Sequence, residues 1–341
     1  MDSQNRVKAI LRGERSDRIS RAVFGGGLWS FRQAGLLIED LARAPDLFAE
    51  GLANVFGGLD TDIVFAGSGL NSFPAEAIGG QLAFRGEQAP LLSFPLIQNV
   101  EDARYFAQID ISLSPHSLAL VEMIAGLRRR LPDRYICATS WGPFTWAMIL
   151  CDWHLLQDKV VTDRRFIQEV CDLGVRLSFA LYEPLIERGL IDGISIPDGA
   201  VTLISNDLYC EVVLPYEKKL FDRVRQRGAG CFLHQCGNIN QQFPLYPETG
   251  ADCVSIDAGV PIGDVYDRYH DRLVTAGNID VINTIYGGEQ EHLCSAVAES
   301  VAGISDPFYR YILMPSCDLP PETPMKKVME FLSCADRIGD Y

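Results

Sequence analysis

The chain has 341 residues, 48% of them hydrophobic, which is enough apolar material for a large core. Thirty Lys and Arg residues against 45 Asp and Glu give a formal net charge of −15. This balance argues against nucleic acid or an anionic membrane surface as the main partner, because both attract positive charge. No apolar signal segment opens the chain, and no run of about 18 apolar residues occurs, so we expect a soluble, cytoplasmic protein.

Short β-rich apolar runs alternate with helical patterns along the chain. The predicted strands are Ile19–Phe24, Asp62–Ala66, Tyr135–Ser140, Gly193–Pro197, Gly230–His234, Cys253–Asp257, Leu273–Ala276 and Tyr311–Met314. The clearest predicted helices are Glu39–Val55, Asp163–Arg188, Asn206–Arg227, Glu289–Gly303 and Pro324–Arg337.

Eight strands with helices between them predict a single (β/α)₈ TIM barrel that occupies residues 1–341 as one domain. A doubly wound open sheet is the alternative. Residues 67–100 interrupt the alternation because they are rich in Gly and Pro, with a candidate hairpin at Gln81–Phe94. We interpret them as an insertion after the second strand.

The ten cysteines are irregularly spaced, and the chain shows no secretory signal, so we expect reduced thiols that serve mostly as small core residues. Cys294 and Cys334, for example, fall in predicted helices. Cys236 and Cys317 differ from the other cysteines because each lies where a predicted strand ends.

His234 and Cys236 are two residues apart at the end of the fifth strand, so their side chains point to the same side. Cys317 follows the eighth strand, 81 residues after Cys236. In a barrel of parallel strands these ends meet at one rim, where a His and two thiolates would form a tetrahedral zinc site with one open position. Two thiolates favour group transfer over hydrolysis, which more often uses His and carboxylate ligands. The alternative is that all three are ordinary buried side chains.

Other polar residues also follow predicted strands and would surround the same rim, where active sites of this fold lie. Asp198 and Asp257 are candidate catalytic residues, and Asn278 is a candidate substrate-binding residue. Trp29 and Phe31, after the first strand, and Trp141, after the third, are candidate walls of an aromatic substrate pocket.

Several segments together resemble the uroporphyrinogen decarboxylase superfamily, from about residue 6 to residue 336. They are Leu11-Arg12-Gly13-Glu14, Ala75-Glu76-Ala77-Ile78-Gly79, Gly142-Pro143-Phe144-Thr145, Leu233-His234-Gln235-Cys236-Gly237-Asn238, Gly277-Asn278-Ile279-Asp280 and Ser316-Cys317 with Thr323-Pro324. The resemblance implies a TIM barrel.

Within the superfamily, the zinc triad is similar to that of the corrinoid-linked methyltransferases, such as methylcobamide:coenzyme M methyltransferases and O-demethylase methyltransferases. This resemblance implies that His234, Cys236 and Cys317 are zinc ligands, with Glu76 as the candidate fourth ligand. The decarboxylase branch fits less well, because Leu36 replaces an arginine of its motif and residues 65–74 lack its aspartate motif.

The resemblance further implies methyl transfer between a small molecule and the cobalt of a corrinoid. The chain contains no Asp-x-His-x-x-Gly corrinoid-binding segment, so we expect the corrinoid to be carried by a partner protein. We favour a methoxy-aromatic methyl donor, on the strength of the predicted aromatic pocket. The alternatives are a thiol acceptor of the coenzyme M type, a decarboxylase-like activity and a non-catalytic zinc scaffold.

Overall fold

The computed structural model describes residues 1–237, 239 and 242–338. Its main sheet contains eight parallel strands, β1 (Ser20–Arg21), β2 (Ile63–Ala66), β3 (Tyr135–Thr139), β4 (Gly193–Pro197), β5 (Gly230–Gln235), β6 (Cys253–Ile256), β7 (Val274–Ile279) and β8 (Tyr311–Pro315). They pair in the order β1-β8-β7-β6-β5-β4-β3-β2, and a bridge between Ala22 and Ile63 brings β1 back to β2. The sheet is therefore a nearly closed barrel, and the predicted fold is confirmed.

Helices surround the barrel in the order that the alternating pattern predicts. They are α1 (Ser3–Leu11), α2 (Gly27–Gln33), α3 (Pro45–Gly57), α4 (Val100–Phe106), α5 (Pro115–Arg130), α6 (Pro143–Leu150), α7 (Trp153–Thr162), α8 (Arg164–Glu187), α9 (Asn206–Val212), α10 (Leu214–Arg225), α11 (Tyr246–Thr249), α12 (Ile262–Tyr269), α13 (Gln290–Ala302) and α14 (Met325–Ile338). None of the described helices is both long and apolar enough to cross a membrane.

Two predicted helices differ from the observed ones, and a proline explains each difference. The predicted helix over residues 206–227 is divided into α9 and α10, and Pro215 occupies the first turn of α10. The helix predicted from Glu39 instead begins at Pro45. Proline has no backbone N–H and a fixed φ, so it is tolerated in the first turn of a helix but breaks a helix interior.

The insertion after β2 contains the predicted hairpin. Leu82–Ala83 and Leu91–Leu92 pair in antiparallel fashion, apart from the barrel sheet. The insertion leads into α4, which begins at its last residue with a capping box between Asn99 and Asp102.

Alternate residues of the strands face either the inside of the barrel or the surrounding helices. The inside is filled by a cluster that includes Phe65, Cys137, Phe232 and Met314, and Val7 and Ile10 of α1 belong to the same cluster. A larger cluster forms the layer between the outer face of the sheet and the helices. Residues that continue the inward series past the strand ends therefore point into the barrel mouth, by which we mean the rim formed by the loops that follow the strands.

One prediction about the cysteines is wrong. Cys294 in α13 and Cys334 in α14 form a disulfide rather than two reduced thiols. The two helices pack against each other, which places these cysteines opposite each other with their Cα atoms 5.1 Å apart. Nothing in the 40-residue separation of the two cysteines along the chain indicates this proximity. Asn238 of the resemblance motif and residues 339–341 of the predicted domain lie outside the described residues.

Candidate metal centre

Three side chains with metal-binding atoms meet at the barrel mouth. His234 lies in β5, Cys236 directly follows that strand, and Cys317 lies two residues after the end of β8. One ligand atom from each residue lies within 4.8 Å of the other two, and His234 Nε2 is 3.7 Å from Cys317 Sγ. The structure thus brings together the three residues that the sequence predicted as ligands.

The alternation of β5 accounts for the direction of the two ligands that it supplies. Phe232 belongs to the cluster inside the barrel, and His234 and Cys236 continue the same inward series. The backbone of Gly199 lies directly against Cys236, because a Cβ at this position would be 2.7 Å from the cysteine Sγ. A side chain at residue 199 would therefore displace this ligand.

The imidazole of His234 is held by a neighbouring strand. Its Nδ1 lies 2.9 Å from Ser255 Oγ, and these two residues are register partners in β5 and β6. On its other side the ring packs on Phe24, with 4.3 Å between ring centroids. A hydrogen bond at one ring nitrogen fixes the orientation in which the other nitrogen meets a metal.

The two thiols of the centre differ in acidity. Hydrogen bonds from Cys317 and from His234 lower the pKa of Cys236 to about 4. The same contact with Cys236, together with burial, raises the pKa of Cys317. In the metal-free protein, one thiolate is therefore stabilised by the proton that the other cysteine retains.

The donor set fits zinc. One imidazole nitrogen and two cysteine sulfurs are ligands typical of a catalytic zinc site, in which the protein supplies three ligands and the fourth position stays open. His234 is almost fully buried, while Cys236 and Cys317 are partly exposed, so the open position would be accessible from the mouth. That zinc is the metal remains a prediction.

Glu76, the candidate fourth ligand, is not part of this cluster. It lies in a short 3₁₀ turn, Phe73–Ile78, and its Oε1 is 2.8 Å from Nδ1 of His116 in α5. Among the described residues, His234, Cys236 and Cys317 form the only cluster of side chains that could hold a metal ion. In this structure His116, rather than the metal centre, is the partner of the Glu76 carboxylate.

The predicted aromatic pocket must be corrected for two of its three members. Trp29 and Phe31 are both buried in the core between the sheet and the helices. The indole Nε1 of Trp29 donates to the carbonyl oxygen of Thr323 at 2.7 Å, and Phe31 packs edge-on against Phe48. These two rings are therefore core residues rather than walls of a pocket at the mouth.

Trp141 and Asn278 lie at the mouth, and a role for them in substrate binding stays a prediction. The indole Nε1 of Trp141 donates to Ser72 Oγ at 3.0 Å, and the ring is half-buried. Asn278 Nδ2 donates to the carbonyl oxygens of Asp257 and Val260, at 3.1 and 2.7 Å. Trp141 thus links the segments after β3 and β2, and Asn278 of β7 holds the loop after β6.

Asp198, which directly follows β4, is completely buried. Its carboxylate accepts hydrogen bonds from the backbone N and the hydroxyl of Thr145, both at 2.7 Å, and its own backbone N donates to the carbonyl oxygen of His234. Burial raises the pKa of Asp198 to about 6. This placement supports a positioning role, because the carboxylate does not reach the open part of the mouth.

Asp257 holds the loop that follows Cys236. Its Oδ2 accepts from the backbone N of Gly237 at 2.6 Å, and its Oδ1 accepts from the backbone N of Ala258 at the same distance. Gly237 has a positive φ of 86°, a conformation that favours glycine. A catalytic role for Asp257 stays a prediction.

A buried acid on the outer side of β5 was not among the predicted site residues. Gln235, between the two ligands, points away from the barrel, and its Nε2 donates to Glu217 Oε1 at 3.1 Å. Tyr209 donates to the other carboxylate oxygen. Burial, and then the charge of Asp198, raise the pKa of Glu217 to about 8. The spacing of Glu217 with Leu220, Phe221 and Val224 places it on the buried face of α10, and this pattern was the available signal.

A second missed residue is Asp318, which directly follows Cys317. Its Oδ1 accepts from the backbone N of Gly26 at 2.8 Å and from Ser68 Oγ at 3.0 Å. Gly25 has a positive φ of 58°, and a Cβ there would overlap the Asp318 carboxylate. Burial of the carboxyl raises the pKa of Asp318, although the residue as a whole keeps solvent-exposed surface.

Fold and site together define a (β/α)₈-barrel protein with a His-Cys-Cys centre at the barrel mouth. The family model for uroporphyrinogen decarboxylase (URO-D) matches residues 2–338. The chain belongs to the uroporphyrinogen decarboxylase family.

Individual relatives include both branches of the family. The methylcobamide:CoM methyltransferase MtbA of Methanosarcina acetivorans is 24% identical over 263 residues, which cover 73% of this chain and 72% of that protein. The uroporphyrinogen decarboxylase of Streptomyces coelicolor is 24% identical over 274 residues, or 74% of each chain. A solved structure of a methyltransferase from Methanosarcina mazei matches the fold with a TM-score of 0.80 at 18% identity, over 99% of both chains. The predicted resemblance to the methyltransferase branch is confirmed.

Proposed function

We propose that this protein is a corrinoid-dependent methyltransferase, which moves a methyl group between a small molecule at the metal centre and the cobalt of a corrinoid on a separate protein. The convergence of His234, Cys236 and Cys317 at the barrel mouth carries this proposal. The methyltransferases among the relatives support it.

His234, Cys236 and Cys317 would hold zinc, which would supply Lewis acidity toward a sulfur or oxygen atom of the substrate. The surrounding residues keep the three ligands in place. Ser255 orients the imidazole of His234, and Asp198 binds the backbone of the same residue. Asp257 fixes the loop after Cys236.

A thiol as methyl acceptor is the better supported small molecule. The names of the methyltransferase relatives MtbA specify methyl transfer from methylcobamide to CoM. The burial of Trp29 and Phe31 also removes most of the aromatic wall on which a methoxy-aromatic donor was predicted.

A methoxy compound as methyl donor is the second candidate. One observation favours it: the five loops that follow β4 to β8 contain no Lys or Arg. These loops, counted with the short helices α9 and α11 that they include, are residues 198–213, 236–249, 257–261, 280–289 and 316–324. An uncharged methoxy compound needs no cationic partner, whereas the sulfonate of coenzyme M would gain from one.

The test uses the zinc-loaded protein with free corrinoids, which replace the corrinoid that the partner protein would carry. Methylcobalamin plus 2-mercaptoethanol should lose its methyl–cobalt absorbance if a thiol is the acceptor. Cob(I)alamin plus a neutral methoxyphenol should gain that absorbance if a methoxy compound is the donor. Cys317→Ser should abolish the change and Cys253→Ser, at a buried cysteine outside the triad, should retain it. No enzyme-dependent change in either direction, or full activity of Cys317→Ser, would overturn the proposal.

A further inference from the structure

Asp318 is the acidic side chain that directly follows a ligand of the metal centre. We propose that it selects the class of substrate, so that the part of the small molecule beside the metal centre carries no negative charge. This inference rests on the proposed function and deepens it, because it concerns the same site. It would separate this protein from an enzyme that takes a sulfonated thiol.

The position of the Asp318 carboxylate is fixed by three loops of the mouth. It is carried by the loop after β8, and its hydrogen-bond donors, Gly26 N and Ser68 Oγ, belong to the loops after β1 and β2. The backbone N–H of Gly26 can only donate, and the Ser68 hydroxyl donates to the same carboxylate oxygen. Both contacts therefore favour the ionised carboxylate. The absence of a side chain at Gly25 leaves the space that the carboxylate occupies.

The carboxylate also lies within electrostatic reach of the centre. Asp318 directly follows the ligand Cys317 in the chain, and its contacts with Gly26 and Ser68 fix the carboxylate at this side of the mouth. Asp318 is an exposed residue, so an incoming molecule at the mouth can approach its charge.

No cation offsets this charge from the five loops after β4 to β8, since they contain no Lys or Arg. Basic residues do occur in the segments that follow β1 to β3, some of them on the short helices α2 and α7, but several are already paired with acids. Arg32 pairs with Glu87, Arg43 with Asp40 and Lys159 with Asp158. A negatively charged group bound next to the triad would therefore face Asp318 without a compensating partner among these five loops.

Three thiols that share a two-carbon chain and differ in the charge of the far group test this inference. They are 2-mercaptoethanesulfonate, 2-mercaptoethanol and 2-aminoethanethiol, which are anionic, neutral and cationic at this end. Their affinities for the zinc-loaded protein are measured by calorimetry, without corrinoid, so that the readout is binding and not turnover. We expect the sulfonate to bind about tenfold more weakly than the neutral thiol at low salt, with a smaller difference at high salt.

Asp318→Asn should reduce this difference, because asparagine keeps an oxygen for the Gly26 N–H but removes the charge. Glu322→Gln is the matched control, since Glu322 lies in the same loop, is exposed and faces Arg32 at 3.8 Å. It should leave the difference unchanged. If Asp318→Asn does not fold, the wild-type ratio of affinities alone decides the question.

Equal or tighter binding of the sulfonate by the wild-type protein would overturn the inference and leave the proposed function standing. An unchanged ratio in a folded Asp318→Asn variant, or the same change in Glu322→Gln, would also overturn it. If the protein binds no zinc, or if none of the three thiols binds, the proposed thiol transfer and this inference are overturned together.

Discussion

His234 Nδ1 lies 2.9 Å from the hydroxyl of Ser255 on the adjacent strand, and this contact leaves Nε2 directed at Cys317. The two residues are register partners in the parallel ladder of β5 and β6. The orientation of the imidazole is therefore built into the sheet itself rather than into a loop, which makes the site more rigid.

Removal of the Ser255 hydroxyl should weaken metal binding without unfolding the barrel. In Ser255→Ala the imidazole loses the partner that fixes its orientation, and we expect zinc affinity to fall by about 10- to 100-fold. Competition with a chromogenic chelator measures this affinity. Ser195→Ala is the matched control, because Ser195 is buried in β4 and its hydroxyl has no hydrogen-bond partner among the described residues. A Ser255→Ala variant with wild-type affinity would show that the contact does not orient the ligand.

The low pKa of Cys236 predicts an unusual alkylation profile in the metal-free protein. Only the thiolate reacts with iodoacetamide, and a pKa of about 4 means that Cys236 is ionised throughout the range from pH 5 to 8. Its alkylation rate should therefore be nearly constant over this range, while that of free glutathione rises steeply. Peptide mass spectrometry after a short exposure identifies the modified residue. A steep rise for Cys236 over the same range would contradict this assignment.

The buried carboxyl of Glu217 should make stability depend on pH. Its pKa in the folded protein is about 8, above the ordinary value of 4.5, so its contribution is fully present below pH 4.5 and is lost as pH rises through 8. Glu217→Gln removes this titration and keeps an acceptor for Gln235. The Tm of this variant minus that of the wild type should thus increase from pH 5 to pH 9. Glu248→Gln, at an exposed acid, should show no such trend, and a flat difference for Glu217→Gln would refute the assignment.

The barrel was predictable because each strand is a short apolar run between helical patterns, and this periodicity is local. Phe232, His234 and Cys236 share a parity that can be counted in the sequence, so the direction of two ligands could also be inferred. The same local rules could have predicted that helices begin at Pro45 and next to Pro215, although the predicted helices included both residues in their interiors.

The remaining features depend on which residues become neighbours in space. The pairing of His234 with Ser255 depends on the register of β5 against β6, which cannot be read from the sequence pattern. The Cys294–Cys334 disulfide requires the packing of α13 on α14. Trp29 and Phe31 were assigned to a pocket because they follow a strand, but the direction of α2 places them in the core. A catalytic role for Asp257, substrate contacts for Trp141 and Asn278, and a single domain over residues 1–341 stay predictions.

The central claim is that His234, Cys236 and Cys317 form one zinc site, and the metal content of the protein tests it most directly. The protein is purified without added metal, beside Cys236→Ser and the control Cys253→Ser, and analysed by elemental mass spectrometry. We expect about one zinc per chain in the wild type and in Cys253→Ser, and none in Cys236→Ser. Two results would contradict the account: folded wild-type protein that contains no zinc, or a Cys236→Ser variant that contains as much zinc as the wild type.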